Sequence, residues 1–209
     1  GSNPSPDTLD TVELNIGIVG PYALGRQVQN GVHELIGVAA SNGWGHQLDN
    51  EPGVMLIGER RWRPSPWRAL GLELDMIPHI GGSLGNVMSF ASAGAMFRVG
   101  QDLNIDYGPP LIRPSLSSLA SVERTADFAW YVFAGAQARG VAHDIFLDGN
   151  TFSSSHSVDK KRLVGDFQLG AAIIYHGARL AITQVFRTRE FEGQRQADRF
   201  GSVSLSIPF

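Results

Sequence analysis

The chain has 209 residues, 43% of them hydrophobic, with a mean hydropathy of -0.06, no cysteine and a formal net charge of -3. The length suits one domain of moderate size, and the lack of cysteine excludes a disulfide scaffold and thiolate metal sites. The weak negative charge gives no argument for nucleic acid, and no apolar run is long enough to cross a membrane as a helix.

Residues 1–7, Gly-Ser-Asn-Pro-Ser-Pro-Asp, read as a turn. No charged start with an apolar stretch reads as a secretory signal, so a secreted protein's signal is expected upstream. Residues 11–19 alternate Val12, Leu14, Ile16 and Ile18 against Glu13, Asn15 and Gly17, a strand ended by Gly20-Pro21. In 25–37 the period changes: Val28, Val32, Leu35 and Ile36 sit at helical spacing, which predicts a short helix. Residues 41–52 are polar and turn-rich.

A second strand, 54–62, runs into the basic, aromatic patch Arg60, Arg61, Trp62, Arg63, Trp67 and Arg68. That patch reads equally as a membrane boundary or as a polar turn between strands. Residues 70–82 set Leu72, Leu74 and Met76 against Glu73, Asp75 and His79; 87–101 set Phe97 and Val99 against Arg98. A long Pro-bearing connection, 106–125, follows; a loop of that length is expected to be functional or extracellular.

Residues 128–143 place Trp130 and Val132 on one face and Tyr131, Gln137 and Arg139 on the other. A second long loop, 144–161, precedes the clearest alternation. There Leu163, Phe167, Leu169, Ile173 and Tyr175 oppose Asp166, Gln168 and His176. Gly177-Ala178 reads as a two-residue turn into 179–191. In the last stretch Val203, Leu205, Ile207 and Phe209 alternate with Ser202, Ser204, Ser206 and Pro208. A terminal aromatic on an alternating strand resembles the closing strand of bacterial outer-membrane proteins.

The pattern predicts about eight strands, several longer than the roughly 9–11 residues a membrane-spanning barrel strand needs and well beyond the usual soluble length of about 5–6. Short turns such as Gly177-Ala178, alternating with long loops such as 106–125 and 144–161, are expected of outer-membrane barrels. The fold class is therefore all-β: an antiparallel transmembrane β-barrel with one short helix. Arg98, Arg139, Arg187 and Arg189 alternate with apolar residues and are expected to face the lumen, with Glu73, Asp75 and Asp166 as counter-charges.

The best candidate for chemistry is the helix. Gln29 lies four residues before His33 and Asn30 three before it, so these side chains share a helix face. A neutral imidazole can accept a proton from water, and neighbouring amides can orient it or stabilise an oxyanion. From spacing alone, an exposed histidine on a plain capping helix is the stronger reading. Asp144, Asp148, Asn150 and Asp159 offer oxygens for calcium but lack the order of a dedicated loop. His143, His156 and His176 show no metal-binding spacing. No GxSxG elbow supports a soluble serine esterase.

Several segments together carry a more specific signal: Gln29-Asn30-x-x-His33, Asn50-Glu51-Pro52-Gly53, Tyr107-Gly108-Pro109-Pro110, 146–152, 156–160, 186–191 and Arg199-Phe200-Gly201-Ser202. They resemble the lipid A 3′-O-deacylase (LpxR-type) family of outer-membrane enzymes, over roughly residues 10–209 and the family's C-terminal two-thirds. The resemblance implies a twelve-stranded barrel and a calcium-dependent esterase that removes the 3′-linked acyloxyacyl group from lipid A of lipopolysaccharide. It implies His33 as the base that activates water, with Gln29 and Asn30 orienting or polarising. Residues 1–209 then form one barrel domain without the family's first strands, and the calcium ligands are expected upstream. A monomer in the outer membrane is expected. Two rivals stay open: a non-catalytic barrel with a structural or lipid-binding role, and a soluble barrel around an apolar ligand.

Overall fold

The computed structural model describes residues 7–109 and 127–207. Its strands are β1 (Thr8–Val19), β2 (Glu51–Trp62), β3 (Trp67–Ala69), β4 (Leu72–Gly85), β5 (Met88–Gln101), β6 (Phe128–Asp144), β7 (Leu163–Tyr175), β8 (Ala178–Arg187) and β9 (Asp198–Ser206). Two helices interrupt them, α1 (Gly25–Leu35) and α2 (Ile145–Asp148). Eight strands form one antiparallel meander in the order β1-β2-β4-β5-β6-β7-β8-β9. The short β3 folds back on β4 through Leu70 and Gly71, whose φ values of 54° and 77° suit the tight turns that match strand twist. Among the described residues β1 and β9 each have one neighbour, so the sheet has two edges.

Period-two patterning divides the sheet into an inner and an outer face. On β2, buried Met55, Ile57, Glu59 and Arg61 alternate with exposed Val54, Leu56, Gly58 and Arg60. Outward-facing apolar side chains stand open on both edge strands and between them: Val12 is 75% exposed, Ile182 59% and Val203 70%. So wide an exposed apolar surface marks a wall that meets lipid. No helix among the described residues is long and apolar enough to cross a membrane.

The inner face is concave and mixes buried charge with an apolar cluster that includes Ile77, Met96, Phe133 and Ile174. Residues 102–109 turn inward, where Asp106 is fully buried. Its carboxylate accepts from Arg98 of β5, from the Tyr131 hydroxyl of β6 at 2.8 Å and from Arg179 of β8 at 2.9 Å. Arg61 of β2 donates to the carbonyls of Tyr107 and Pro109 at 3.0 and 3.2 Å. On a flat sheet β2 and β8 would lie about 24 Å apart, five spacings of roughly 4.8 Å. Adjacent residues of one segment reach both, so the sheet is curled around it.

Arg98 also donates to Asp75 and to the Leu103 carbonyl, and its guanidinium lies 4.9 Å from the Tyr131 ring centre. Toward the other end of the sheet, Asp166 takes Arg139 at 3.3 Å and Arg187 at 2.7 Å. The inner arginines expected from the sequence thus find Asp75 and Asp166, while Glu73 binds Arg68 and the Leu103 N–H.

Four expectations need correction. Arg61 and Arg63 do not lie with the exposed arginines of the patch: both are buried, Arg61 on the inner face of β2 and Arg63 just past its end, where its backbone N–H still donates to the Asp7 carbonyl at 2.8 Å. Arg189 does not enter the lumen, since β8 ends at Arg187 and the ladder no longer directs its side chain. His176 does not share a face with Asp166; it stands in the turn between β7 and β8 with φ 46°. The connections after β5 and after β6 do not lie together: in a strict meander the first shares an end with the His176-Gly177 turn and the second lies opposite, with α1. Pro110, Pro114, Pro208 and Phe209 lie outside the described residues.

Removing one partner from a buried charge network strands the others, at a cost of about 3–5 kcal/mol. Asp106→Ala in the full-length protein is expected to lose stability of that size in urea unfolding from detergent micelles. A loss below about 1 kcal/mol would show that the arginines find other counter-charges.

Candidate active site

The helix end of the sheet carries the loops that hold the predicted chemistry. Residues 20–50 leave β1 through Pro21, which opens a single 3-10 turn, and pass into α1. At its C-terminus α1 closes with a complete Schellman arrangement. Gly37 adopts φ 70° and donates to the Glu34 carbonyl at 3.3 Å, and the Val38 N–H reaches the His33 carbonyl at 2.8 Å. Glycine takes this left-handed conformation without the Cβ penalty. The turn sends residues 38–41 back along the helix.

That return positions the site. His33 Nδ1 lies 2.8 Å from the Ala39 carbonyl oxygen. A carbonyl only accepts, so Nδ1 is the donor in this contact, and in the neutral ring the lone pair then lies on Nε2. Ser41 N–H donates to Asn30 Oδ1 at 3.2 Å, so the Asn30 amide braces the same return. Gln29 is exposed one turn before His33.

The helix buries no side chain. Val28, Val32, Leu35 and Ile36 form an uncovered apolar stripe, with Leu35 86% exposed. At 100° per residue, Gln29 and His33 fall at the margin of that stripe, where apolar and polar faces meet. A helix of this kind lies in a membrane interface.

The loops at this end brace one another. Tyr22 N–H donates to Asn50 Oδ1 at 2.7 Å, and Asn150 exchanges two hydrogen bonds with the Asp49 backbone at 2.8 and 2.9 Å. Buried Glu51 accepts from Asn150 at 3.0 Å, from the Thr151 N–H at 3.0 Å and from Asn86 at 3.2 Å. Asn150 and Glu51 are thus spent on joining two loops.

The remaining sequence candidates do not converge. Asp144 caps α2 by accepting from the Phe146 N–H at 3.0 Å. Asp148 pairs with Lys160 at 2.6 Å and His143 at 3.2 Å. His156 faces His46 with ring centres 6.3 Å apart, and His176 sits near Asp127 at the opposite end. Among the described residues no group of three or more His, Asp or Glu is placed to hold a metal ion. The sequence reading missed Ala39 and Ser41, whose backbone groups carry no sequence signal. Gly37 ended the predicted helix, and a glycine just past a helical period is a legible stop.

Burial raises the Asp148 pKa, but the Lys160 ammonium and the Asp144 N–H outweigh it and hold the carboxyl below its usual range. A lowered carboxyl pKa stabilises above the unfolded value and stops doing so as pH falls through the folded one. Amide exchange in 149–158, corrected for intrinsic rates, should therefore rise as pH falls below about 4. In Asp148→Asn it should already be fast at neutral pH. A pH-independent wild-type profile would break the link.

A family model for outer membrane protein LpxR matches residues 2–209. No curated protein matches. Among solved structures, LpxR from Salmonella typhimurium is similar at 25% identity and a TM-score of 0.80, over 97% of this chain and 67% of that one. With one model spanning nearly every residue, and a solved relative sharing the same curled sheet, the chain belongs to the family of outer membrane protein LpxR.

Proposed function

We propose that the protein is a lipid A deacylase that hydrolyses the ester of the 3′-linked acyloxyacyl group, with His33 as general base. Membership of the LpxR family supports a lipid A substrate in the outer membrane. The observation that carries the reading is the His33–Ala39 hydrogen bond of 2.8 Å. It leaves Nε2 as the basic nitrogen on a helix whose apolar stripe suits the lipid interface.

In the proposed reaction Nε2 takes a proton from water as the water oxygen bonds to the ester carbonyl carbon. The carbonyl oxygen becomes an oxyanion, and in this reading an amide N–H of Gln29 donates to it. As the intermediate collapses, the bond to the sugar oxygen breaks and the imidazolium returns its proton to that oxygen. The products are a carboxylic acid and a free hydroxyl. Asn30 acts through the 38–41 return and is a positioning residue, as is Gly37.

Calcium is given no step: among the described residues no group of three or more His, Asp or Glu is placed to hold a metal ion, and its ligands are expected on strands outside them. We also infer that strands outside the described residues pair with β1 and β9, because open sheet edges are not tolerated in hydrocarbon. In the full-length protein the amides of β1 and β9 should exchange as slowly as those of β5. Fast exchange at either edge would refute the pairing.

The assay is release of the acyl group from lipid A by the full-length protein, followed by mass spectrometry with and without chelator. His33→Ala should lower kcat by about 10²-fold or more, and unchanged turnover would overturn the base assignment. Gly37→Val, strained at positive φ by about 1–2 kcal/mol, should lower kcat while leaving KM and the folded yield near wild type. A wild-type protein without release under any calcium condition would leave the non-catalytic barrel standing.

A further inference from the structure

The outer wall carries a second lipid-shaped feature, away from α1. Across β6, β7, β8 and β9, a row of outward positions pairs Ala136 with Phe167, Phe167 with Phe186 and Phe186 with Arg199. Above it Ala138 pairs with Gly165, which exchanges hydrogen bonds with Thr188 at 2.9 Å. Of these, Ala136, Ala138, Gly165, Phe167, Phe186 and Thr188 line an open, mostly apolar groove of about 530 Å³, and Arg199 borders it beside Phe186. Leu163 and Leu169, exposed on the same face of β7, flank Gly165 and Phe167, so the groove is a shallow, open depression between larger side chains. The two phenylalanine rings lie 6.3 Å apart along it.

Charge sits at the β9 side of the groove and at the end of the sheet beyond it. The Arg199 guanidinium lies 5.7 Å from the centre of the Phe186 ring. Arg162, Arg189 and Arg195 are exposed on the same rim. The nearby carboxylates are engaged elsewhere: Glu192 with Lys161, Asp166 and Glu190 with Arg187, and Asp198 with Gln194. None of the four arginines has a carboxylate partner among the described residues, and Asp198, bonded to the neutral Gln194, offsets one of them, so the rim keeps an excess of positive charge beside an apolar groove.

We propose that this groove seats one acyl chain of a phosphate-bearing membrane lipid, whose headgroup rests on Arg199 and the arginines around it. The occupant is fixed by the two chemistries in sequence along the wall: a hydrocarbon for the depression, then an anion at the interface, where basic residues meet lipid phosphates. The inference needs the outward face of an outer-membrane wall and does not depend on the reaction assigned to His33.

The test is native mass spectrometry of the full-length protein in detergent, titrated with dioleoyl phosphatidylglycerol and, as the zwitterionic control, dioleoyl phosphatidylcholine. The wild type should retain one phosphatidylglycerol in preference to phosphatidylcholine. Arg199→Gln should weaken that binding about fivefold while leaving phosphatidylcholine unchanged. Gly165→Leu fills the groove, because a Cβ there stands in ordinary contact at 3.5 Å from Thr188, and should weaken both lipids. Heat-modified gel mobility confirms that each variant is folded, and the His33 deacylation assay should read as wild type in both. Equal retention of the two lipids by the wild type, or phosphatidylglycerol binding unchanged in both variants, would overturn the proposal.

Discussion

Asp106 places one negative charge at the centre of the inner face, and the curvature of the sheet follows from the groups gathered on it. Arg98, Tyr131 and Arg179 come from three different strands to the two oxygens of this carboxylate. An unpaired guanidinium in such a place would be prohibitive, so the 102–109 segment and the wall require each other. The segment brings the carboxylate and several carbonyls; the strands supply the cations those acceptors need.

This arrangement also explains why the two ends of the sheet differ. At one end the 102–109 segment packs against the inner face, with Leu103 of the segment and Arg179 of β8 both fully buried. At the other, the loops are joined mainly by side-chain amides and carboxylates such as Asn50, Asn150 and Glu51, and α1 buries nothing. Burial is concentrated at the end away from α1, while the helix end presents exposed polar and apolar groups. His33 is held by one backbone carbonyl and one turn of chain rather than by a packed core, as the proposed role of a base meeting a membrane substrate would require.

Much of the wall was legible before any coordinates. Leu163, Phe167, Leu169, Ile173 and Tyr175 alternate so regularly that they mark one outward apolar face, and the structure puts Asp166 and Gln168 inside as expected, beside the buried Val164, Ala172 and Ile174. The helix was legible from Val28, Val32 and Leu35, and its end from Gly37. The patch from Arg60 to Arg68 was not, because a run of arginines hides the alternation that sends Arg61 and Arg63 inward and Arg60 outward to Asp10. Nor was Asp106, one acidic residue at the start of a loop with no periodicity.

The sequence by itself determined the two-faced strands, their rough number, the rim helix and the family, since each rests on local period or on residues read in order. Only the tertiary structure decided which loops share an end, which carboxylate each inner arginine meets and which nitrogen of His33 stays basic. Those depend on contacts between residues far apart in the chain, or on a backbone carbonyl such as that of Ala39, whose position no side-chain pattern encodes.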